Sequence, residues 1–561
     1  MNPAIPSAGS SRPSPLRRTL QLLAFDREDI TVIIIYGFAL GLLSLAVPIA
    51  VQSLVNTVAF GSLIQPLVVL TVLLGAALIG AAVLRALQVR IAEMLQRRLF
   101  VRIVIEIGGR LPRVSARALR EANGPELLNR FFDVFTTQKS LASLLLGGID
   151  ALLIALVGMT VLAFYHPILL AFDIVLILGA LIVLFPLGRG GTRTSVAESK
   201  SKYAVAGWLE EMARHPLSLK QAGGEKFAQE RVETLAHSYL VKRDRHFKVV
   251  FRQLIGALTF EVIASVALLA LGGLLVIERQ LSLGQLVAAE LIVTAVVASI
   301  AKLSGKVEIF YDLVAAVDKL GEILDLPLER EDGDSPPPSA EPRGHLHIRD
   351  LEVDPLLYDE MPPISLDLRP GQWLAITGAS ERATSHVVDA IFGLDPARAG
   401  LVEIDGHDTR DLSLRSLRSR IALVRNIEVL PGTILDNLRS ANAELSADDA
   451  WAVLHDVGLE ETIKALPDGL NTELLVDGEP LTRSQMIGLT IARALAGSPS
   501  ILVLDRTLDW LGPKERRVTL DAMLSRSEVS VLLITDEPEL VARADAQLDL
   551  SELFKPHGEA A

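Results

Sequence analysis

The chain has 561 residues, 50% of them hydrophobic, with 54 Lys and Arg against 67 Asp and Glu, a formal net charge of -13 and no cysteine. The acidic balance argues against a nucleic-acid partner, because phosphate backbones reward basic surfaces. The missing cysteines exclude disulfides, thiolate metal sites and thiol nucleophiles, and the scattered histidines form no ligand-spaced cluster, so no metal site is expected.

A mean hydropathy of +0.40 over so long a chain requires long apolar runs. Residues 1–29, with Arg12, Arg17 and Arg18, read as a short basic cytosolic leader. The apolar run that follows is too long for a signal-peptide core and lacks a small-residue cleavage motif, so it is expected to be retained. A helix needs about 20 apolar residues to cross a bilayer. Six stretches qualify: Ile30 to Val51, Leu63 to Leu84, Leu141 to Phe164, Ile168 to Leu187, Leu254 to Ile277 and Leu286 to Leu303. Only Tyr165, His166 and Pro167 separate the third and fourth, which must therefore form a hairpin.

The connections near Gly61, His166 and Arg279 carry almost no Lys or Arg, whereas Arg85 to Lys139 and Arg189 to Arg252 carry many. That asymmetry places the two long segments and both termini in the cytosol, for a multi-pass protein of the inner (cytoplasmic) cell membrane with the lipid bilayer as its first partner. Runs such as IAEMLQRRLFVRIVIEIGG and SVAESKSKYAVAGWLEEMAR predict helices that continue out of the membrane. Asp150, Asp173, Glu261 and Glu290 fall inside spans, where carboxylates are costly, so they should face a cavity, a partner or the membrane boundary. They point to a cationic or peptide cargo, unless the helices extend far enough for these acids to be wetted.

Residues 30–325 thus read as an all-α, six-helix transmembrane domain. Residues 326–344, LPLEREDGDSPPPSAEPRG, have the charge and proline content of an extended linker. From His345 to Ala561, short β-rich runs (HLHIRDLEV, QWLAITG, RIALVRN, SILVLD, VSVLLIT) alternate with helical ones, as in an α/β domain with a central parallel sheet. One run, GQWLAITGASERATSHVVDAIFGL, has the strand, loop and helix order of a phosphate-binding loop. It keeps Gly378 and Ser385 of the pattern G-x-x-x-x-G-K-[ST] but has Ala383 and Thr384 where glycine and lysine belong.

Further stretches fall in a familiar order: GQLVAAELIV and FYDLVAAVDKLGEILD, then GLVEIDGHDTRDLSLRSLRSRIALV, LPGTILDNL and LPDGLNTELLVDGEPLTRSQMIGLTIARAL. Over roughly residues 25 to 550 the chain resembles an ATP-binding cassette (ABC) half transporter of the exporter type, especially the bacterial toxin and peptide exporters. The resemblance implies the exporter-type membrane domain followed by a P-loop NTPase-like ABC domain, with ATP and Mg²⁺ as cofactors. It also implies assembly as a homodimer or a heterodimer with another half transporter, and a periplasmic adaptor protein as a candidate partner.

Carried over position by position, most of the family's chemistry is lost. The phosphate lysine is Thr384, the residue after the Walker B aspartate Asp505 is Arg506 rather than glutamate, and the switch histidine is Asp536. The Q-loop glutamine falls at Asn426, the D-loop aspartate at Gly512, and the signature LSGGQ reads Leu481-Thr482-Arg483-Ser484-Gln485. Gly378, Ser385, Asp505, Gln485 and Tyr358, as a base-stacking aromatic, remain. Phosphoryl transfer depends on positive groups and Mg²⁺ around the phosphate and on a residue that orients water, so this chain's own site is expected to be inactive. The reading is a transporter subunit working with an active partner to export a peptide, protein or small molecule. The alternatives are a non-transporting receptor, scaffold or regulator on the exporter fold, and an ordinary ATP-driven exporter. A buried unpaired charge is expensive, so Arg506 is expected within reach of Glu381 or Asp536; the alternative is that it points to solvent in an open cleft.

Overall fold

The computed structural model describes residues 17–19, 21, 26–60, 64–121, 127, 129–336, 343–352, 363–378, 381–395, 399–524 and 528–551. It divides into two compact units, Met1–Val114 with Ala118–Leu328, and Ser115–Arg117 with Glu329–Ala561.

The first unit is helical: α1 (Arg27–Ser44), α2 (Ala46–Phe60), α3 (Ile64–Arg110), α4 (Asp133–Ser143), α5 (Ile149–Tyr165), α6 (Pro167–Leu184), α7 (Gly191–Arg214), α8 (Gly224–Ile277) and α9 (Leu283–Leu324). A π-helical turn, Leu144–Gly148, joins α4 to α5. Six stretches are long and apolar enough to cross a membrane: Arg27–Asn56, Ile64–Arg113, Asn129–Tyr165, Pro167–Leu184, Gly224–Ile277 and Leu283–Leu324. Each overlaps one of the six expected spans; four of these lie wholly inside, the second begins one residue earlier at Leu63, outside the described residues, and the fourth runs on to Leu187. The hairpin between α5 and α6 has a local cause: Pro167 opens α6, and His166 Nδ1 accepts a hydrogen bond from the Ile168 amide at 3.2 Å. Ser282 and Gln285 close a capping box that starts α9.

Helix length accounts for the predicted arms. α3 has 47 residues and α8 has 54, which at about 1.5 Å per residue far exceeds a hydrocarbon core of about 30 Å. The fourth span ends at Leu184 rather than Leu187, because the chain turns through residues 185–190 before α7. Val72, Leu73 and Ile79 of α3 point outward, with Ile79 68% exposed. Such a surface is a liability in water and a requirement in lipid. Inward, Leu162, Leu169, Leu176, Leu268 and Ile292 form a core. The helices approach closely there, since a Cβ on Gly158 would lie 2.6 Å from Val296.

Among the described residues the second unit holds two main sheets and a short antiparallel pair, Gly432–Thr433 with Glu473–Leu474. β1 (Leu346–Leu351), β2 (Ile364–Leu368), β4 (Leu401–Ile404) and β5 (His407–Asp408) form an antiparallel sheet in the order β2-β1-β4-β5. β3 (Trp373–Thr377), β6 (Ile421–Val424), β7 (Ile501–Asp505), β8 (Ser530–Ile534) and β9 (Ala546–Asp549) form a parallel sheet in the order β9-β3-β8-β7-β6. Every residue of β3, β7 and β8 is buried, which is why these strands read as unbroken apolar runs rather than alternating ones. Between them run α10 (Glu381–Phe392) and α11 (Arg483–Ala496).

The first residues of the expected linker make contacts within the soluble unit. Glu329 is held by a two-pronged Arg418 at 2.6 and 2.7 Å, and the Asp334 amide donates to the Asp411 carbonyl at 2.6 Å. These pairings fold the charged residues 329–334 onto the soluble unit.

Candidate functional site

In-register pairing of parallel strands brings their ends together. Ile534 of β8 lies opposite Ile376 of β3 on one side and Asp505 of β7 on the other, and Val424 of β6 lies opposite Leu504. The residues that follow these strands, Gly378, Asp536, Arg506 and Arg425, therefore share the carboxyl edge of the sheet, where open α/β sheets place ligand-binding loops.

Gly378 takes φ +69°, and a Cβ there would lie 2.6 Å from Asp549 Oδ1, so glycine is required on two counts. Its amide donates to Asp536 Oδ1 at 2.8 Å. Asp536 Oδ2 pairs with Arg506 Nη1 at 2.9 Å, with Arg506 26% and Asp536 52% exposed. The ion pair anticipated for Arg506 is thus made with Asp536, and the same carboxylate caps the first amide of the loop. Arg506 itself takes φ +54°, a left-handed conformation uncommon outside glycine. Its amide donates to the Ile534 carbonyl at 2.9 Å.

The loop after β7 is anchored from behind. Arg516 is buried and donates to the carbonyls of Leu508, Asp509 and Leu511, and it pairs with Glu537 at 2.9 Å. Asp509 accepts from the Thr535 hydroxyl at 2.5 Å. Burial pushes the Asp509 carboxyl above the usual carboxylate range, and the Thr535 hydrogen bond holds part of that rise back.

Arg425, passed over in the sequence, occupies the centre of this edge. Its Nε donates to Asp505 Oδ2 at 2.7 Å, Nη1 to Asp389 Oδ1 at 2.8 Å and Nη2 to the Ser385 carbonyl at 3.1 Å. Asp505 is 4% exposed at the end of β7, and Asp389 is buried on α10. Burial works against the Arg425 charge, but the hydrogen bonds to Asp389 and Asp505 outweigh it and raise the guanidinium's pKa. Burial likewise pushes the Asp505 carboxyl up, opposed by Arg425. The available signals were a cation directly after the buried strand IALV and a carboxylate inside the apolar run HVVDAIF.

Residues 361–508 match the ABC transporter family. The chain is 28% identical over 235 residues to the ATP-dependent lipid A-core flippase of Francisella novicida, covering 41% of this chain and 39% of that protein. It is 28% identical over 286 residues to the alpha-hemolysin translocation ATP-binding protein HlyB of Escherichia coli O6:H1, covering 49% and 40%. The matches span about half the length, or less, of these curated relatives. A solved bacterial Atm1-family ABC exporter with ATP bound superposes with a TM-score of 0.79 over 95% of this chain and 93% of that one, at 17% identity. The chain thus has the fold and domain order of an ABC exporter half transporter, with a segment of its soluble unit matching the ABC transporter family.

Within the ABC domain, the other sequence-predicted positions are dispersed in role. Thr384 is buried, its hydroxyl donating to the Glu381 carbonyl at 3.1 Å within α10, and Ser385 is half-buried. Asn426 is exposed beside Arg425. Leu481 belongs to the core, and Thr482 and Gln485 close a capping box at the start of α11, so these signature residues have a structural use. Arg483 is exposed, its guanidinium 4.5 Å from the centre of the Trp510 ring. Tyr358 lies outside the described residues.

The four transmembrane acids separate into different environments. Asp150 is buried and paired with Arg85, and Gln88 Nε2 donates to its Oδ1 at 3.0 Å. Asp173 is 3% exposed, and neither of its carboxylate oxygens has a hydrogen-bond partner among the described residues. Glu290 Oε2 is likewise without one, and Glu261 is half-buried.

Proposed function

We propose that this multi-pass membrane protein is a transporter subunit whose own nucleotide site does not hydrolyse ATP, and that it works with an active ABC partner to export a peptide, protein or small molecule. The observation that carries the reading is the Gly378, Asp536 and Arg506 chain. A phosphate-cradling loop needs free amides and positive charge. Here the first amide is bound to a carboxylate, and the cation that follows Asp505 is bound to that same carboxylate. Thr384 supplies no charge, and its hydroxyl is turned into its own helix. The position after Asp505, where the family's water-orienting glutamate would stand, is the cation Arg506, so turnover is expected to come from the partner.

Residues carried on both membrane and soluble units favour transport over a receptor role, since the whole exporter architecture is retained. The relatives differ in cargo, one named for lipid A-core and one for alpha-hemolysin, so the cargo class here stays as broad as stated. Phosphate release by the purified chain in lipid tests the reading: background turnover alone, and stimulated turnover when an intact ABC half transporter is added, are expected. Turnover by the chain alone that disappears on Asp505→Asn would overturn it. Orientation in the inner membrane, with both termini cytosolic, is part of the same proposal. Because the chain has no cysteine, Thr234→Cys on the exposed part of α8 should label only after cells are permeabilised.

A further inference from the structure

A divalent cation on this edge would need oxygen ligands, and the buried carboxylates it could draw on are those of Asp505 and Asp389, the more exposed Asp536 being paired with Arg506. Both are already bound by Arg425, at 2.7 and 2.8 Å. The third arm of the guanidinium is held by the Ser385 carbonyl at 3.1 Å, so each of its three nitrogens has an assigned acceptor. Asp505 and Asp389 are both buried, and the Arg425 side chain is 23% exposed. Two carboxylates forced together without a cation would repel in a low-dielectric environment. One planar, permanently charged fork satisfies both without needing a particular pH or a soluble ion.

We infer that Arg425 is the resident cation of this edge, replacing a divalent metal and making the fold of the ABC domain independent of Mg²⁺ and ATP. The residues present do not fit a nucleotide-bound metal: it would have to displace the guanidinium from Asp505 or sit beside it as a like charge. The inference deepens the proposed function and rests on its reading of the site as inactive. It adds a separate claim, that metal is excluded at the binding step and not only unused in chemistry. Arg425 is in this sense a positioning residue, which holds the ends of β6 and β7 and the first turns of α10 in one arrangement.

The test uses the full chain in lipid nanodiscs, with Mn²⁺ as a spectroscopic probe of metal binding and MgATP as a probe of nucleotide binding. The parent should bind no Mn²⁺ through Asp505, and its thermal transition should be the same with MgATP as with EDTA. Arg425→Ala should lower the transition by roughly 6–20 °C, and the loss should be partly restored by Mg²⁺ or Mn²⁺, which can then approach Asp505 and Asp389. A merely structural arginine would lower the transition without that metal response. Arg425→Lys keeps the charge but loses the fork; it should fold, be less stable than the parent, and carry the same measurement if the alanine variant does not fold. Mn²⁺ bound by the parent and lost on Asp505→Asn overturns the inference, as does an Arg425 variant with unchanged stability or with no response to metal. Metal or nucleotide bound without turnover would remove this inference and leave the proposed function standing, whereas turnover by the chain alone removes the proposed function.

Discussion

Both units bury an aspartate against an arginine, and the two pairs are built for different surroundings. In the membrane unit, Asp150 meets Arg85 from α3 with Gln88 one turn further on, and the Arg85 side chain is 47% exposed. In the soluble unit, Asp505 and Asp389 share one Arg425 that has a third acceptor in a backbone carbonyl. The membrane pair is one carboxylate answered by a cation that can retreat toward the surface, together with a neutral amide. The soluble pair is two buried carboxylates bridged by one cation that cannot leave without breaking its bonds to both. The difference teaches that what a buried ion pair contributes depends less on the pair than on what remains when one member is removed.

The strongest way to break the comparison is Arg425→Ala. Two buried carboxylates lose the cation that bridges them, and a loss of about 3–5 kcal/mol from the soluble unit is expected, read as a lower denaturation midpoint of the full chain. If that loss is no larger than for Arg85→Ala, whose partner keeps the Gln88 hydrogen bond, the contrast between the two pairs is wrong. Asp150→Asn keeps the shape and leaves an acceptor for Gln88 and Arg85. It should cost about 1–2 kcal/mol, seen as reduced thermal resistance of the membrane unit.

A smaller, pH-dependent effect separates Asp505 from the carboxylates of the domain surface. Burial raises the Asp505 carboxyl above its ordinary 3.8, so the native state keeps this proton to higher pH than the unfolded chain does. Its contribution therefore favours folding at low pH and declines as pH rises from about that value through the folded one. Asp367 behaves with the opposite sign. The hydrogen bond from His345, then that from His347, lowers its carboxyl, so its contribution is present above 3.8 and is lost as pH falls through the folded value. Stability measured against pH should change slope in opposite senses for Asp505→Asn and Asp367→Asn, and parallel changes would contradict the assignment.

The smallest effect is expected at the most conspicuous sequence departure. The Arg506 and Asp536 pair is partly exposed, so Arg506→Ala should lose no more than about 1 kcal/mol, and the loss should shrink in high salt. Arg506→Gly removes the same pair but relieves the left-handed backbone at φ +54°, so it should be more stable than the alanine variant. Thermal melts of the two variants side by side measure the strain net of glycine's larger unfolded-state entropy.

Much of this could be read along the chain because it depends on local pattern. Apolar runs of bilayer length, the Lys and Arg content of their connections and the proline that opens α6 determined six helical stretches and their hairpin. The unbroken apolar strands determined a parallel sheet covered on both faces. The loss of charge at Thr384 and the new charges at Arg506 and Asp536 were equally plain, whereas the sequence left Arg506 either an acid partner or open solvent. Only the tertiary structure decided which acid that was, since Glu381 and Asp536 are equally plausible from sequence and only the register of β8 beside β3 brings Asp536 to Gly378. The same holds for Arg425. Its partners lie 36 and 80 residues away, and nothing periodic links a cation after one strand to carboxylates on a helix and on the next strand. Parallel pairing of β6 with β7, and the packing of α10 against them, bring these charges together, because burial leaves each of them no better partner.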